Sequence, residues 1–144
     1  MEKNEYIKLK QILNEIVENN NNKYILLSIK SIYAEKIYKG IKKYEFRKKD
    51  FKKDIKIILL YETKPIGLIT GCMKYDKILK DTPEKLWNKC FKLSGINEKD
   101  YFKYFINKNC AYAINIIETK KFAIPINPND FVEKFTSPQS YFYI

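Results

Sequence analysis

Histidine is absent from this chain, and arginine occurs once among 28 strongly basic residues. Without an imidazole the chain cannot build Ser-His or Cys-His catalysis, and it lacks the commonest protein ligand of zinc and iron. Acid–base chemistry would therefore have to use Glu, Asp, Lys, Tyr or water. We expect no metal site and no cofactor.

Cysteine is scarce as well. The three cysteines, Cys72, Cys90 and Cys110, are far apart in sequence and odd in number. This spacing matches neither a disulfide framework nor a zinc-ligand set. We expect reduced thiols that behave as small buried hydrophobes in the cytoplasm.

Long apolar runs are also missing. The longest, residues 57–61, has the length of a strand, so we expect no membrane span and no membrane partner. The first ten residues, MEKNEYIKLK, contain no apolar signal core, and export is not expected. With 144 residues, 45% of them hydrophobic, the chain can bury a sizeable core within one domain.

Positive charge is what the sequence has in excess, with a net charge of +11. Residues 23–53 carry eleven bases against three acids, net +8, whereas residues 1–22 carry net −1 and residues 54–144 net +4. Such a cluster is typical of a surface that binds a polyanion. The alternative is a solvated face, because the whole chain is rich in lysine. A general enrichment in lysine does not explain why the excess positive charge is concentrated in residues 23–53.

Hydrophobic periodicity predicts an α+β fold. Residues 4–18 place apolar side chains at helical spacing and end in the asparagines 19–22, which predicts an amphipathic N-terminal helix and a polar joint. This helix either packs on the domain or offers a dimer or partner surface. Short strands with helices inserted between them follow and predict a small mixed β-barrel. We divide the chain into 1–22, helix and joint, and 23–144, the barrel domain.

Local signals predict where the elements begin and end. Strands are predicted at residues 24–30, 43–47, 55–62 and 66–75, with one or two more in 110–126 and a last one at the C-terminus. Helices are predicted after the capping residues Ser31, Thr82 and Asn97, the first of them ending at Gly40 in the left-handed conformation. An aromatic stripe at residues 101–105 is assigned to the core, with a stacking platform as the alternative.

The segment KYEFR contains the single arginine. Strand alternation puts Tyr44 and Phe46 on the core face, and Lys43, Glu45 and Arg47 on the other face. Glu45 and Arg47 are then about 7 Å apart in Cα position. A carboxylate beside a forked guanidinium suits a nucleobase, or a phosphate next to a base. The alternative is an internal Glu45–Arg47 ion pair that braces the barrel.

The segment LLSIKSIYAEKIYKGIKKYEFRKK, residues 26–49, resembles the opening signature of the ASCH domain in the PUA-like superfamily. That signature is a strand ending Ser-x-Lys, a short helix ending in Gly, and then Gly-x-Lys-x-x-Glu-x-Arg. Its residues are Gly40, Lys42, Glu45 and Arg47. PIGLITGCMKYDKIL resembles a barrel strand of the family. TPEKLWNK with GINEKDYFKYF resembles the helical insertion of one subgroup, and AYAINI and SPQSYFY resemble its closing segments.

The resemblance implies a small β-barrel with a cleft that binds RNA or a nucleobase-like ligand, with a regulatory role as one expectation. In that cleft the Glu45–Arg47 pair is expected to point outward into a hollow ringed by lysines. The residues expected to line the cleft are Lys30, Tyr33, Lys42, Glu45 and Arg47. The lysines expected to hold phosphates are Lys43, Lys48, Lys49, Lys52 and Lys53.

Two alternatives remain open. One is a ribonuclease or nucleoside hydrolase in which Lys42 and Glu45 perform acid–base chemistry with help from Tyr33. For the acetylcytidine amidohydrolase branch the resemblance implies a catalytic Lys and Thr of the signature and a Glu from a later strand. Lys42 matches, but Glu45 stands at the threonine position, so that branch is disfavoured. The other alternative is a small-ligand or protein-binding module, suggested by the N-terminal helix and the twelve tyrosines.

Overall fold

The protein is described by a computed structural model that covers residues 5–51 and 54–144, so Lys52 and Lys53 lie outside the described residues. The α-helices within this part are α1 (Ile7–Val17), α2 (Ser31–Tyr38), α3 (Pro83–Cys90) and α4 (Glu98–Tyr104). The strands are β1 (Ile25–Ile29), β2 (Tyr44–Arg47), β3 (Ile57–Glu62), β4 (Leu68–Asp81), β5 (Ala111–Ile126) and β6 (Tyr141–Tyr143). Single 3₁₀ turns occupy Phe91–Leu93 and Pro128–Asp130. No helix of the described residues is long and apolar enough to cross a membrane.

The six strands form one mixed sheet in the order β2-β5-β4-β3-β1-β6. Strand β1 runs parallel to β3 and antiparallel to β6, while β2 runs antiparallel to β5. Over their described residues the chain segments form two compact units. The first unit comprises Met1–Ser31, Ile55–Met73 and Lys120–Ile144, and the second comprises Ile32–Asp54 and Lys74–Thr119. The mixed sheet agrees with the predicted α+β class.

The first unit has an apolar core to which the N-terminal helix contributes. Leu9 and Leu13, one helical turn apart on α1, are fully buried in the same cluster as Leu26 and Leu59. Burying a leucine side chain stabilises a fold by about 1.5–3 kcal/mol. Of the two alternatives for this helix, packing on the folded chain is confirmed. The domain boundary between residues 22 and 23 stays a prediction.

The second unit has an aromatic core. The Tyr101 ring lies 5.0 Å from the Phe46 ring and 4.9 Å from the Phe105 ring, with edge-to-face geometry in both pairs. The Tyr101 hydroxyl donates to the Pro83 carbonyl at 2.8 Å, which satisfies its polar end. Tyr101 and Phe105 are buried, so the core assignment is confirmed for these two members of the stripe.

Helix starts follow the local signals closely. Thr82 Oγ1 accepts from the Lys85 N–H at 3.3 Å, and Asn97 Oδ1 accepts from the Asp100 N–H at 2.8 Å. Each bond satisfies one of the amide groups that a first turn leaves without an intrahelical partner. The strand region is less well predicted. The sequence places Gly67 inside a strand, whereas the structure has it in the preceding turn with φ 63°.

Candidate functional site

The turn after α2 sets the direction of the signature segment. Gly40 has φ 77°, the left-handed conformation that the sequence predicts for the residue ending this helix. The next two backbone N–H groups, of Ile41 and Lys42, both donate to the Lys36 carbonyl, at 3.0 and 3.1 Å. These bonds close the helix end and lead the chain directly into β2. The side chain of Lys42 is thereby placed beside the start of that strand.

Lys42 is one of the most deeply buried side chains of the protein, with 2% of its surface exposed. Its Nζ donates to the Ser94 carbonyl at 2.6 Å and lies 3.8 Å from Glu45 Oε1. The same nitrogen lies 4.9 Å from the centre of the Phe46 ring and 5.3 Å from the centre of the Tyr33 ring. A buried ammonium needs such partners, because each replaces part of the water that was lost.

Burial lowers the pKa of Lys42 from 10.5 to about 8. Desolvation is the main cause, Glu45 opposes it, and the positive charges of Arg47 and Lys36 lower the pKa further. A lysine in this range has both a protonated and an unprotonated form near neutral pH, which is what proton transfer requires.

Glu45 connects the two cations of the site. Its Oε2 accepts a hydrogen bond from Arg47 Nη2 at 2.6 Å, so that Lys42, Glu45 and Arg47 form a continuous charged chain. Glu45 and Arg47 are only 6% and 9% exposed. The sequence expects the pair to point outward, whereas the structure shows the internal ion pair that was its alternative. The short charge-assisted bond turns the two groups towards each other, and ligand recognition by them stays a prediction.

The loop between the 3₁₀ turn and α4 covers the Lys42 side chain. The Leu93 carbonyl accepts from the Lys43 N–H at 2.8 Å, and the Gly95 carbonyl accepts from Lys36 Nζ at 3.1 Å. Gly95 has φ 65°, and a Cβ built on it would lie 2.5 Å from the Cβ of Lys42. Glycine is therefore required both by conformation and by space. Sequence reasoning missed this contact, although a glycine between two predicted helices was its visible signal.

The charge of Glu45 acts on two tyrosine hydroxyls, those of Tyr33 and Tyr104. Burial raises the pKa of the Tyr33 hydroxyl, and the charges of Asp100 and then Glu45 add to the effect. Burial also raises the pKa of Tyr104; Arg47 lowers it, Glu45 raises it, and a hydrogen bond from the Lys48 backbone lowers it. Both hydroxyls therefore lie within electrostatic range of the charged chain. Tyr33 was a predicted site residue, whereas Tyr104 was assigned to the core stripe.

Exposed lysines stand at both ends of β2. Lys43 precedes the strand, and Lys48 and Lys49 follow it, and all three are exposed. The structure thus brings most of the predicted residues together in the second unit: Tyr33, Lys42, Lys43, Glu45, Arg47, Lys48 and Lys49. Lys30 is exposed in the first unit. Within 5–51 and 54–144 no cluster of His, Cys, Asp or Glu is arranged to hold a metal ion.

A family model, the ASCH domain, matches residues 27–120, which include the charged chain and the loop above Lys42. The chain belongs to the ASCH family. The recognition from the signature Gly-x-Lys-x-x-Glu-x-Arg is thereby confirmed. Comparison with curated proteins gives no match.

Solved structures confirm the fold of this ASCH protein. The crystal structure of ASCH from Zymomonas mobilis is similar with a TM-score of 0.77 at 23% identity, covering 84% of this chain and 87% of that chain. A tyrosine-to-phenylalanine mutant of that protein gives a TM-score of 0.76 at 22% identity, with 84% and 89% covered. A serine-to-alanine mutant gives 0.76 at 22% identity, with 84% and 87% covered. The predicted α+β fold, a helix-decorated mixed β-barrel of the ASCH type, is correct.

Proposed function

We propose that this ASCH protein binds nucleic acid, with RNA as its ligand, at the signature segment of the second unit. The observation that carries the proposal is the combination of buried and exposed charged side chains along residues 42–49. Buried Lys42, Glu45 and Arg47 form a charged chain, and exposed lysines flank it on both sides. Mobile ammonium groups suit phosphates, whereas a buried, oriented guanidinium suits a specific contact.

The exposed lysines supply the affinity in this proposal. Residues 23–53 hold most of the excess positive charge, and Lys43, Lys48 and Lys49 are its exposed members next to β2. Each phosphate that a lysine neutralises releases counterions, so the logarithm of the binding constant falls linearly with the logarithm of salt concentration. Binding through these lysines must therefore weaken steeply with salt.

Arg47 supplies the selectivity. Its hydrogen bond to Glu45 fixes the plane of the guanidinium before a ligand arrives. A phosphate or base acceptor reaching Arg47 meets an oriented group in a region that is largely dry, where charge-assisted bonds are strong. Lysine offers the same charge without the planar fork, so Arg47→Lys should reduce discrimination between sequences more than total affinity.

The test is fluorescence anisotropy with mixed-sequence RNA oligomers over a range of salt concentrations. The triple change of Lys43, Lys48 and Lys49 to Gln should weaken binding and reduce the salt slope by about two units, at about 0.7 for each phosphate contact with single-stranded RNA. The matched control changes three exposed lysines of the first unit, Lys8, Lys121 and Lys134, to Gln. Equal losses in both triple variants, or no binding by the wild type at low salt, would contradict the proposal.

An enzyme acting on RNA or a nucleoside is the second candidate, and Lys42 is the observation that favours it. Its pKa of about 8 and its position 3.8 Å from Glu45 suit a proton-transfer pair, with Tyr33 next to it. Incubation with end-labelled RNA tests this candidate. Cleavage that Lys42→Met abolishes supports it, since methionine keeps the volume and removes the amine. Cleavage that persists in the variant would show that Lys42 does not perform the proton transfer.

A further inference from the structure

Tyr104, the last residue of α4, and Phe102 are the two half-buried members of the aromatic stripe. Tyr101 and Phe105 are buried, whereas Tyr104 is only half-buried. One edge of its ring meets Phe105, with the ring centres 4.8 Å apart and the planes at 72°. Over the ring lies the Nζ of Lys48, 4.6 Å from its centre, and Lys48 is an exposed side chain. A cation from an exposed side chain therefore lies over the ring of Tyr104, which also packs against the aromatic core.

The hydroxyl end of Tyr104 is held in place. The Lys48 backbone N–H donates to the hydroxyl oxygen, and the charges of Arg47 and Glu45 act on it. The ring thus has a partner at its hydroxyl, the Lys48 backbone directly after β2, and a partner at its edge, Phe105. A rigid aromatic ring loses little conformational entropy when a flat ligand stacks on it, which favours binding there.

We propose that Tyr104 is a stacking position for an unpaired nucleobase, which makes this ASCH protein prefer single-stranded RNA to duplex RNA. The inference rests on the proposed function and adds the form of RNA that the same site takes. A cation over a ring at an exposed position is held weakly, and a phosphate attracts the ammonium of Lys48 more strongly. When RNA arrives, Lys48 moves to a phosphate and the ring face becomes available to the adjoining base.

Duplex RNA can supply the phosphate but not the base. Bases within an A-form helix are stacked on each other and paired, whereas those of a single strand can turn out onto a protein ring. The charge of Arg47 acts on the Tyr104 hydroxyl, so a base stacked on this ring would be within electrostatic range of the guanidinium. Tyr104 therefore adds binding for single strands only, and the exposed lysines serve both forms.

The test measures the dissociation constants of a short single-stranded RNA and of its duplex by anisotropy, at one fixed salt concentration. Tyr104→Leu should weaken single-strand binding about 5- to 150-fold, the range found when one base loses an aromatic partner. Duplex binding should change less than about twofold, because no phosphate contact is removed. Tyr104→Phe, which keeps the ring, should bind both forms almost as the wild type does.

Phe102→Leu is the matched control on the same helix. Phe102 is half-buried like Tyr104 and packs against the same aromatic core, with its ring 6.1 Å from Trp87. Phe102→Leu should change neither affinity. If Tyr104→Leu does not fold, photocrosslinking of wild-type protein to RNA containing 5-iodouridine replaces it. A crosslink at Tyr104 supports the inference, and crosslinks confined to other residues overturn it.

Failure of the inference and failure of the proposed function look different. Binding to both RNA forms, with equal losses or no loss in Tyr104→Leu, overturns the stacking role and leaves nucleic-acid binding intact. Absence of binding to either form by the wild type at low salt overturns both.

Discussion

The two compact units of this protein bury different chemistry. Among the described residues, the first unit buries one charged side chain, Lys10, around a core of leucine, isoleucine and aromatic residues. The second buries three, Lys42, Glu45 and Arg47, within six positions of the sequence. Buried charges cost desolvation free energy that an apolar core does not incur. The difference teaches that the first unit is stabilised mainly by apolar burial, whereas the second also carries the desolvation cost of its charged chain.

The largest effect that tests this comparison should follow from Glu45→Ala. The change leaves two cations, Lys42 and Arg47, buried without their shared carboxylate, and should lower the free energy of unfolding by about 3–5 kcal/mol. Urea unfolding measures it. The control is Glu35→Ala, which removes an exposed ion pair with Lys39 and should cost about 0.3–0.5 kcal/mol. Similar losses in both variants would show that the buried ion pairs of Glu45 contribute no more to stability than the exposed pair does.

A comparable loss of stability without loss of binding is expected in the first unit. Leu13→Ala removes a fully buried side chain and should lower the free energy of unfolding by about 2–5 kcal/mol. Affinity for RNA, measured on the folded fraction, should stay within about twofold of wild type, because the first unit holds none of the charged chain. A loss of RNA affinity well beyond twofold in Leu13→Ala would break the distinction between the units.

Two glycine substitutions test how tightly the loop over Lys42 packs in the second unit. Gly95→Ala combines a left-handed φ of 65° with a Cβ 2.5 Å from that of Lys42, and should destabilise by about 2–4 kcal/mol. Gly40→Ala meets only the end of Lys43, 3.8 Å away, at a φ of 77°, and should cost about 1–2 kcal/mol of strain. Thermal or urea unfolding separates the two variants. Equal costs would mean that the loop containing Gly95 shifts to accommodate the added Cβ without a further loss of stability.

The smallest expected effect is a pH dependence due to Lys42. Its folded pKa of about 8 lies below the ordinary 10.5, so above pH 8 the unfolded chain binds more protons than the folded one. The free energy of unfolding should therefore rise with pH in this window, by at most about 1.4 kcal/mol between pH 8 and 9. Burial raises the pKa of Cys90 to about 11, which acts in the opposite direction above pH 9. Lys42→Met should remove this rise in the free energy of unfolding. If the rise persists in the variant, a group other than Lys42 causes it.

Much of the fold was predictable because its signals are local. Thr82, Asn97 and Gly40 act on backbone groups within about four positions of themselves, and the structure confirms each of them. The alternation of β2 put Glu45 and Arg47 on one face, and their ion pair was among the sequence alternatives. The lengths of β4 and β5 were less well predicted, since pairing with neighbouring strands extends them beyond their own hydrophobic pattern.

The sequence by itself determined which residues carry charge in the signature segment, which face of β2 they share and where α3 and α4 begin. Only the tertiary structure decided that Lys42 is buried, because its cover comes from Ser94 and Gly95, and the Ser94 carbonyl that it contacts is 52 positions away. The same holds for Tyr104, whose ring meets Lys48 across a similar separation. Periodicity and capping depend on neighbours along the chain, whereas desolvation and pKa depend on neighbours in space.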